Sequence, residues 1–570
     1  MSTELSSDSA TQANAPARAE YAFQVENLTV AFGHGADRRE VVKGVSFSVR
    51  RGESFAIVGE SGSGKSVTAR TLIGLTGAVA EVSASRLELN GADTRRLSDR
   101  QWGAIRGRDV GFILQDALVS LDALRPVGRE IEETLKLHRF GDARQRRARV
   151  LEVLAQVGVP EPELRARQLP GQLSGGLRQR ALIASAIALN PSVVIADEPT
   201  TALDVTVQSQ IIALLDEMKR KDGALLVISH DLAVVSRLAD RIAVMNQGVI
   251  VEQGPTAEVL SNPKDPYTQS LLDAVPSAHS RGTRLSKRPR RVAAPATVRT
   301  RPTPSQTNGV RPPIIAAEHL TKRYRGPDGV TRTVVDDVSF ELRRGETLGV
   351  VGESGSGKTT VARLALAITG ADGGRVLIDG EPWSDVPERT RRPRRRLITT
   401  VYQDPLSSFD PRWTVEKILH DAIPADGAYR GRSARAARAL ELLQLVDLGA
   451  EHLDRRPLLL SGGQRQRVAI ARALAPEPDV IVCDESVSAL DVSIQAQVLD
   501  LLADLQADLG LSYLFISHDL GVIHHVSDRI LVMHGGRVVE QGDADEVFGN
   551  PQQDYTKQLL SAIPSLERAR

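Results

Sequence analysis

The chain is 570 residues long, 41% hydrophobic and 25% charged, which calls for several compact units and excludes a mainly disordered or fibrous protein. A formal net charge of +1 supplies no global field for capturing nucleic acid, and no nucleic-acid partner is expected. One cysteine, Cys483, excludes an internal disulfide framework and a cysteine-rich zinc or iron–sulfur site, while the longest apolar runs, such as ALIASAIAL at 181–189, fall short of the roughly 20 residues that cross a bilayer.

Residues 1–20, MSTELSSDSATQANAPARAE, are small and polar where a secretory signal needs an apolar stretch, so the N-terminus is expected to be disordered and the chain to stay in the cytosol. A first folded domain is expected over 21–276. Its apolar run ESFAIVGE predicts a buried strand that enters a glycine-rich octapeptide, GESGSGKS, at 59–66. The stretch from about 116 to 190 is mostly helical in pattern. SVVIADE then predicts a strand ending on Asp197 and Glu198, and ISHD follows a further apolar strand to place His230. Residues 277–313 combine repeated proline and nine Lys or Arg with no Asp or Glu. Such a segment cannot offset its ordering entropy by burial, so a solvated tether is expected, with attraction to an anionic cytoplasmic leaflet as the alternative reading of its charge.

A second domain, expected over 314–566, repeats the order of the first. GESGSGKT, VYQDPLSS, LSGGQRQR, VIVCDESVSALD and YLFISHDL pair with GESGSGKS, VGFILQD, LSGGLRQR, VVIADEPTTALD and LLVISHDL at offsets of 287 to 293 residues. Five ordered matches at so constant a spacing identify a tandem duplication. Strands alternating with helices predict, for each copy, an α/β fold with a parallel sheet covered on both faces and a mainly helical second lobe. The charge run RTRRPRRR at 389–396 is read as a solvated entry to a strand.

The octapeptides fit the P-loop pattern G-x-x-x-x-G-K-[ST] in its proper place after a strand. Gly59, Glu60, Ser61, Gly62, Ser63 and Gly64 form one loop; Gly352, Glu353, Ser354, Gly355, Ser356 and Gly357 form the other. Their backbone N–H groups converge on phosphate oxygens, backed by the positive end of the following helix. Lys65 and Lys358 supply charge to the β- and γ-phosphates, while Ser66 and Thr359 each offer a hydroxyl to Mg²⁺, so ATP and Mg²⁺ are the expected ligands. Asp197 and Asp484 are placed to hold the magnesium shell, and Glu198 and Glu485 to polarise a water for in-line attack on the terminal phosphate.

LSGGLRQR and LSGGQRQR resemble the signature of ABC-type ATPases, and the ordered motif set resembles their nucleotide-binding cassettes over about 22–276 and 314–566. The resemblance implies two tandem P-loop NTPase domains, each with a RecA-like parallel-sheet core, a helical subdomain and a small antiparallel β part. It also implies intramolecular pairing, in which the signature of one cassette closes over nucleotide held by the other. One composite site would join Lys65, Ser66, Gln115, Asp197, Glu198 and His230 to Ser461, Gly462 and Gly463. The second would join Lys358, Thr359, Gln403, Asp484, Glu485 and His518 to Ser174, Gly175 and Gly176. By the same resemblance Gln115 and Gln403 sense magnesium or water, His230 and His518 contact the terminal phosphate, and Asp204 and Asp491 lie in the segment that crosses between cassettes. Phe32 and Tyr324 are candidates for stacking on adenine. Both copies keep the lysine, glutamate, histidine and LSGG, so two hydrolytic sites are expected. Ala117 stands where the second copy has Pro405, and SLDALRPVG replaces SFDPRWTV, so the loops facing a membrane partner are expected to differ. Ser486 stands at the position of Pro199, a change expected to be harmless.

Each copy ends alike, SNPKDPYTQSLLDAVPS and GNPQQDYTKQLLSAIPS, and these tails resemble those of the oligopeptide, dipeptide, nickel and glutathione importers. That implies an energy-coupling ATPase at the cytoplasmic face of the cell membrane, serving two integral-membrane permease subunits and an extracytoplasmic solute-binding protein. Dipeptides or oligopeptides are the main reading of the cargo; nickel, glutathione or another small solute are the alternatives. No cysteine stands between the first tail and the second domain, so the iron–sulfur centre of many such proteins is not expected. The other class, a soluble ribosome-associated double-cassette ATPase, typically has a charged helical linker and lacks the ISHD histidine, unlike the proline-rich 277–313 and the retained His230 and His518.

Overall fold

The computed structural model of the protein describes residues 20–115, 120–200, 203, 205–219, 223–276, 280–288, 312–326 and 329–561. Two compact units are defined, one bounded by Met1–Pro199, Leu214–Ser229 and Leu238–Val259, the other by Thr200–Ala213, His230–Arg237 and Leu260–Arg570.

The strands of the first unit are β1 (Tyr21–Phe32), β2 (Arg39–Arg50), β3 (Ser54–Val58), β4 (Ala80–Ser83), β5 (Arg86–Leu89), β6 (Ala92–Asp93), β7 (Val110–Ile113), β8 (Val193–Asp197), β9 (Ala224–Ser229), β10 (Arg241–Asn246) and β11 (Val249–Pro255). A small antiparallel sheet runs β2-β1-β5-β6, with β4 also on β1. The larger sheet runs β11-β10-β3-β9-β8-β7 and is parallel except for β11. SFAIV, VVIAD and ALLVIS, the sequences of β3, β8 and β9, are buried at every position. Continuous apolar runs of this kind suit strands covered on both faces, where alternation would strand polar groups in the core.

The second unit repeats the design with β12 (Ile315–Arg325), β13 (Thr331–Leu342), β14 (Thr347–Val351), β15 (Gly373–Ile378), β16 (Glu381–Pro382), β17 (Ile398–Val401), β18 (Val480–Asp484), β19 (Ser512–Ile516), β20 (Arg529–His534) and β21 (Arg537–Asp543). The antiparallel sheet runs β13-β12-β15-β16, and the main sheet runs β21-β20-β14-β19-β18-β17, the same order as in the first unit. In both, the P-loop strand is central, with β9 or β19 on one side and β10 or β20 on the other. Motifs at the carboxyl ends of neighbouring parallel strands therefore meet at one edge, the usual place for a ligand in such sheets.

The expected helical lobes are Val127–Leu137, Ala143–Gln156 and Gly175–Ile187 in the first copy and Val415–Ala422, Arg432–Leu445 and Gly462–Leu474 in the second. Their chemistry is local: Asp142 caps Ala143–Gln156 by accepting from the Gln145 N–H at 2.8 Å, and the Gln145 amide oxygen accepts from the Asp142 N–H at 2.8 Å. No helix among the described residues is long and apolar enough to cross a membrane.

Two expectations need correction. The run at 389–396 is only partly solvated. Trp383 is fully buried, its indole N–H donates to the Ala365 carbonyl at 3.0 Å, and the Arg395 guanidinium lies 5.3 Å from its ring centroid. Arg394 donates to the Ile378 carbonyl at 2.6 Å, Arg395 to the Leu366 carbonyl at 2.7 Å and Arg391 to the Ser384 carbonyl at 3.0 Å. These arginines close the ends of neighbouring elements, because a planar fork serves carbonyls and an aromatic face together. Arg395 also holds the Glu388 carboxyl down to about 2. The expected tether is described only at 280–288, which form part of the second unit, with Leu285 buried in its core. The expectation of a disordered N-terminus over 1–20 falls, for residues 1–19, outside the described residues, as do 277–279 and 289–311 of the expected tether, Ala117 and Asp204.

Candidate active site

Each octapeptide turns sharply at its strand end. Gly59 and Gly352 adopt φ of 148° and 147°, and an added Cβ would run into the carbonyl of Met245 or Met533. Gly64 and Gly357, at 104° and 102°, cap the helices Lys65–Thr71 and Lys358–Ala365 from the left-handed region. Only glycine satisfies both the angle and the close approach. Lys65 and Lys358 are buried within their own loops: the Lys65 ammonium donates to the Gly59 and Glu60 carbonyls at 2.8 Å each, and that of Lys358 to Gly352 and Glu353 at 2.7 and 2.8 Å. The Ser63 and Ser356 hydroxyls are buried without a hydrogen-bond partner, a feature the motif alone did not reveal.

β8 and β18 deliver the carboxylates. The Ser66 hydroxyl donates to Asp197 Oδ1 at 2.9 Å, and Thr359 to Asp484 Oδ1 at 3.2 Å, so the changed last letter keeps the contact. Burial pushes the carboxyls of Asp197 and Asp484 above their ordinary values. Asp197 Oδ2 is buried without a partner. An orphaned carboxylate oxygen beside a hydroxyl fits a hard cation with oxygen ligands, such as Mg²⁺.

Glu198 and Glu485 both sit at φ 50°, in the left-handed region, with their N–H groups tied to the carbonyls of Ile228 at 2.8 Å and Ile516 at 2.9 Å. A non-glycine residue pays about 1–3 kcal/mol for such a conformation, and it persists where the surroundings over-determine it. Here the hydrogen bond to the neighbouring strand, β9 or β19, contributes to that constraint. The carboxylates are held by Gln115 Nε2 and Gln403 Nε2, each at 2.7 Å, across 83 and 82 residues of sequence. His518 Nδ1 lies 3.4 Å from Glu485 Oε1. Burial alone would raise the Glu485 carboxyl, but the hydrogen bond and charge of His518, with Lys358, hold it below its ordinary value. Burial likewise opposes protonation of His518, and Glu485 outweighs it to raise the imidazole. His230 follows β9 at the matching position, half-buried.

Ser174 and Ser461 are exposed N-caps of Gly175–Ile187 and Gly462–Leu474, accepting from Leu177 N at 3.4 Å and Gln464 N at 3.2 Å. Only Gln464 can reciprocate, giving the second copy a full capping box. Asp491 occupies the N-cap position of Val492–Leu509. Phe32 packs partly buried against the core of the first unit, whereas Tyr324 is exposed with Lys322 Nζ 5.5 Å from its ring centroid. Sequence reasoning missed Gln179, which is buried and donates to the Pro199 carbonyl at 2.9 Å; its counterpart Gln466 is buried with an unpartnered Nε2.

Cys483, just before Asp484, is fully buried, and burial pushes its thiol up to about 12. It will resist maleimide in the native protein near neutral pH and react after unfolding, read by mass spectrometry.

A phosphate cradle, a hydroxyl–carboxylate pair and a constrained carboxylate at one sheet edge place each repeat among the P-loop nucleoside triphosphatases. Comparison with known proteins narrows this: the description "ABC transporter" matches residues 42–201 and 335–488, and "Oligopeptide/dipeptide transporter, C-terminal region" matches 251–300 and 539–570. The chain belongs to the ABC transporter family, as an ATP-binding subunit that hydrolyses ATP. It is 41% identical over 561 residues to the glutathione import ATP-binding protein GsiA of Escherichia coli K12, covering 96% of this chain and 90% of the relative. The same figures hold for GsiA of Shigella boydii serotype 4. Among solved structures, the dimeric structure of MJ0796, a bacterial ABC transporter cassette, is 28% identical, covering 40% of this chain and 98% of that one at a TM-score of 0.37. The expected architecture of two cassettes, each with a parallel-sheet core, helical subdomain and antiparallel part, is borne out, and the subunit works with membrane permease partners.

Proposed function

We propose that the two cassettes pair head to tail to form two composite ATP sites, and that their closing and opening drive two permease subunits importing short peptides, glutathione among them. The observation that carries the cargo class is the importer-type tail after each cassette, together with 41% identity to GsiA, a glutathione import protein. The intact Glu–Gln pair in both copies supports two hydrolytic sites.

In this reading Lys65 and Lys358 leave their loop carbonyls to meet the β- and γ-phosphates. Ser66 with Asp197, and Thr359 with Asp484, hold Mg²⁺, which when bound offsets negative charge on the phosphates. Glu198 and Glu485 orient the attacking water, and Gln115 and Gln403, bonded to them, link the chemistry to the permease-facing loops. The signature serines, Ser174 and Ser461, reach the γ-phosphate of the opposite cassette from helix N-termini. Tighter binding of ATP to the closed state supplies the work. An extracytoplasmic solute-binding protein delivers the cargo, and the subunit sits at the cytoplasmic face.

The test is uptake of labelled glutathione, dipeptides and Ni²⁺ by cells lacking this chain. Peptide or glutathione uptake is lost and is restored by the wild-type chain but not by the Glu198→Gln/Glu485→Gln variant. Unchanged peptide uptake with a loss of Ni²⁺ uptake contradicts the cargo class.

A further inference from the structure

The segment Ser280–Arg288, SRGTRLSKR, is seated on a socket formed by the second copy. Asp500, 4% exposed on the helix Val492–Leu509, accepts from the Leu285 N–H at 3.1 Å, the Ser286 N–H at 2.9 Å and the Ser286 hydroxyl at 2.5 Å. One turn further along, Asp504 pairs with Arg284 at 2.8 Å. Leu285, 4% exposed, joins the buried apolar cluster that includes Leu501 and Leu505. At the other end Arg281 pairs with Asp545 at 2.5 Å, and the Ser280 hydroxyl lies 3.0 Å from His525 Nδ1.

Backbone donors, a buried leucine and two guanidinium–carboxylate pairs are the parts of a specific docking site, since a solvated tether needs none of them. The repeat supplies an internal control. At the offsets of the neighbouring motifs, Asp500, His525 and Asp545 align with Ala213, Arg237 and Ala257 in the first copy, while Asp504 aligns with Glu217 and keeps its charge. A carboxylate inside the buried face of a helix costs free energy unless it is bonded, so its presence in one copy alone calls for a partner that exists once. Residues 280–288 follow the first tail and are that partner.

We propose that residues 280–288 form an intramolecular strap, with the Asp500–Asp504–Asp545 face of the second cassette as its receptor. The strap is a second attachment beside the covalent chain, holding the end of the first repeat on the second cassette whether or not nucleotide is bound. It stands independently of the cargo and of the composite sites.

The test uses the full chain with a specific protease site placed within 296–305, cut in the absence of nucleotide. With the native strap, the two fragments co-elute from a sizing column, and trypsin cleaves after Arg281 at least ~10-fold more slowly than after Arg290, in proportion to the opened population. Arg284→Glu/Leu285→Asp, which alters the strap and leaves both cassettes intact, releases the fragments and removes the protection of Arg281, while ATP binding by each cassette is unchanged. Separation of the native fragments, equal cleavage at both arginines, or continued co-elution of the variant overturns the proposal.

Discussion

The Glu198→Gln/Glu485→Gln protein will bind ATP with wild-type affinity and hydrolyse it at least ~100-fold more slowly, the usual range for losing a positioned general base. The substitution is nearly isosteric, the P-loops are untouched, and Gln115 and Gln403 keep a side-chain oxygen to meet at the 2.7 Å position. What disappears is the carboxylate that orients and deprotonates water. Because both residues sit at φ 50° whatever their charge, the backbone turn survives. Each single substitution leaves one working site. Steady-state ATPase rates, with a fluorescent nucleotide to measure binding, check both statements; turnover near wild type in the double variant would remove the assigned role.

A second large effect will come from Gly59→Ala and Gly352→Ala. An alanine there must leave a φ of 148° or 147° and avoid a carbonyl already in contact, of Met245 or Met533. Backbone strain and overpacking together amount to roughly 3 kcal/mol. Since β3 and β14 are held on both sides by parallel neighbours, the loop rather than the sheet yields. The predicted outcome is an ATP affinity lower by ~100-fold in the altered cassette, at about 1.4 kcal/mol per tenfold. Calorimetric titration of each single variant measures it. Retention of tight binding at the altered site would mean that the cradle is not set by this turn.

Much of this was legible because motif and strand coincide. ESFAIV and SVVIAD are continuous apolar runs, and a run buried on both faces has one position in a doubly covered sheet, so the P-loop and the Asp–Glu pair had to reach the same edge. What stayed hidden was any feature fixed by a distant partner. RTRRPRRR looks solvated by composition, and only the buried ring of Trp383 and nearby carbonyls show why Arg391, Arg394 and Arg395 are held. SRGTRLSKR looks like linker for the same reason, since its receptor lies 214 or more residues away at Asp500. The left-handed turn at Glu198 and Glu485 carries no glycine or asparagine to announce it; the carbonyls of Ile228 and Ile516 impose it.

The central claim, that each nucleotide is closed over by the opposite signature, is tested most directly by cysteine cross-linking in the Glu198→Gln/Glu485→Gln background. Ser61, Ser174, Ser354 and Ser461 are exposed, and Cys483 is buried and silent, so introduced pairs report alone. With ATP, Ser61→Cys with Ser461→Cys, and Ser354→Cys with Ser174→Cys, will each form a disulfide within one chain, and both will fall sharply without nucleotide. Failure of both pairs to cross-link with ATP bound, or cross-linking of Ser61→Cys to Ser174→Cys instead, contradicts it.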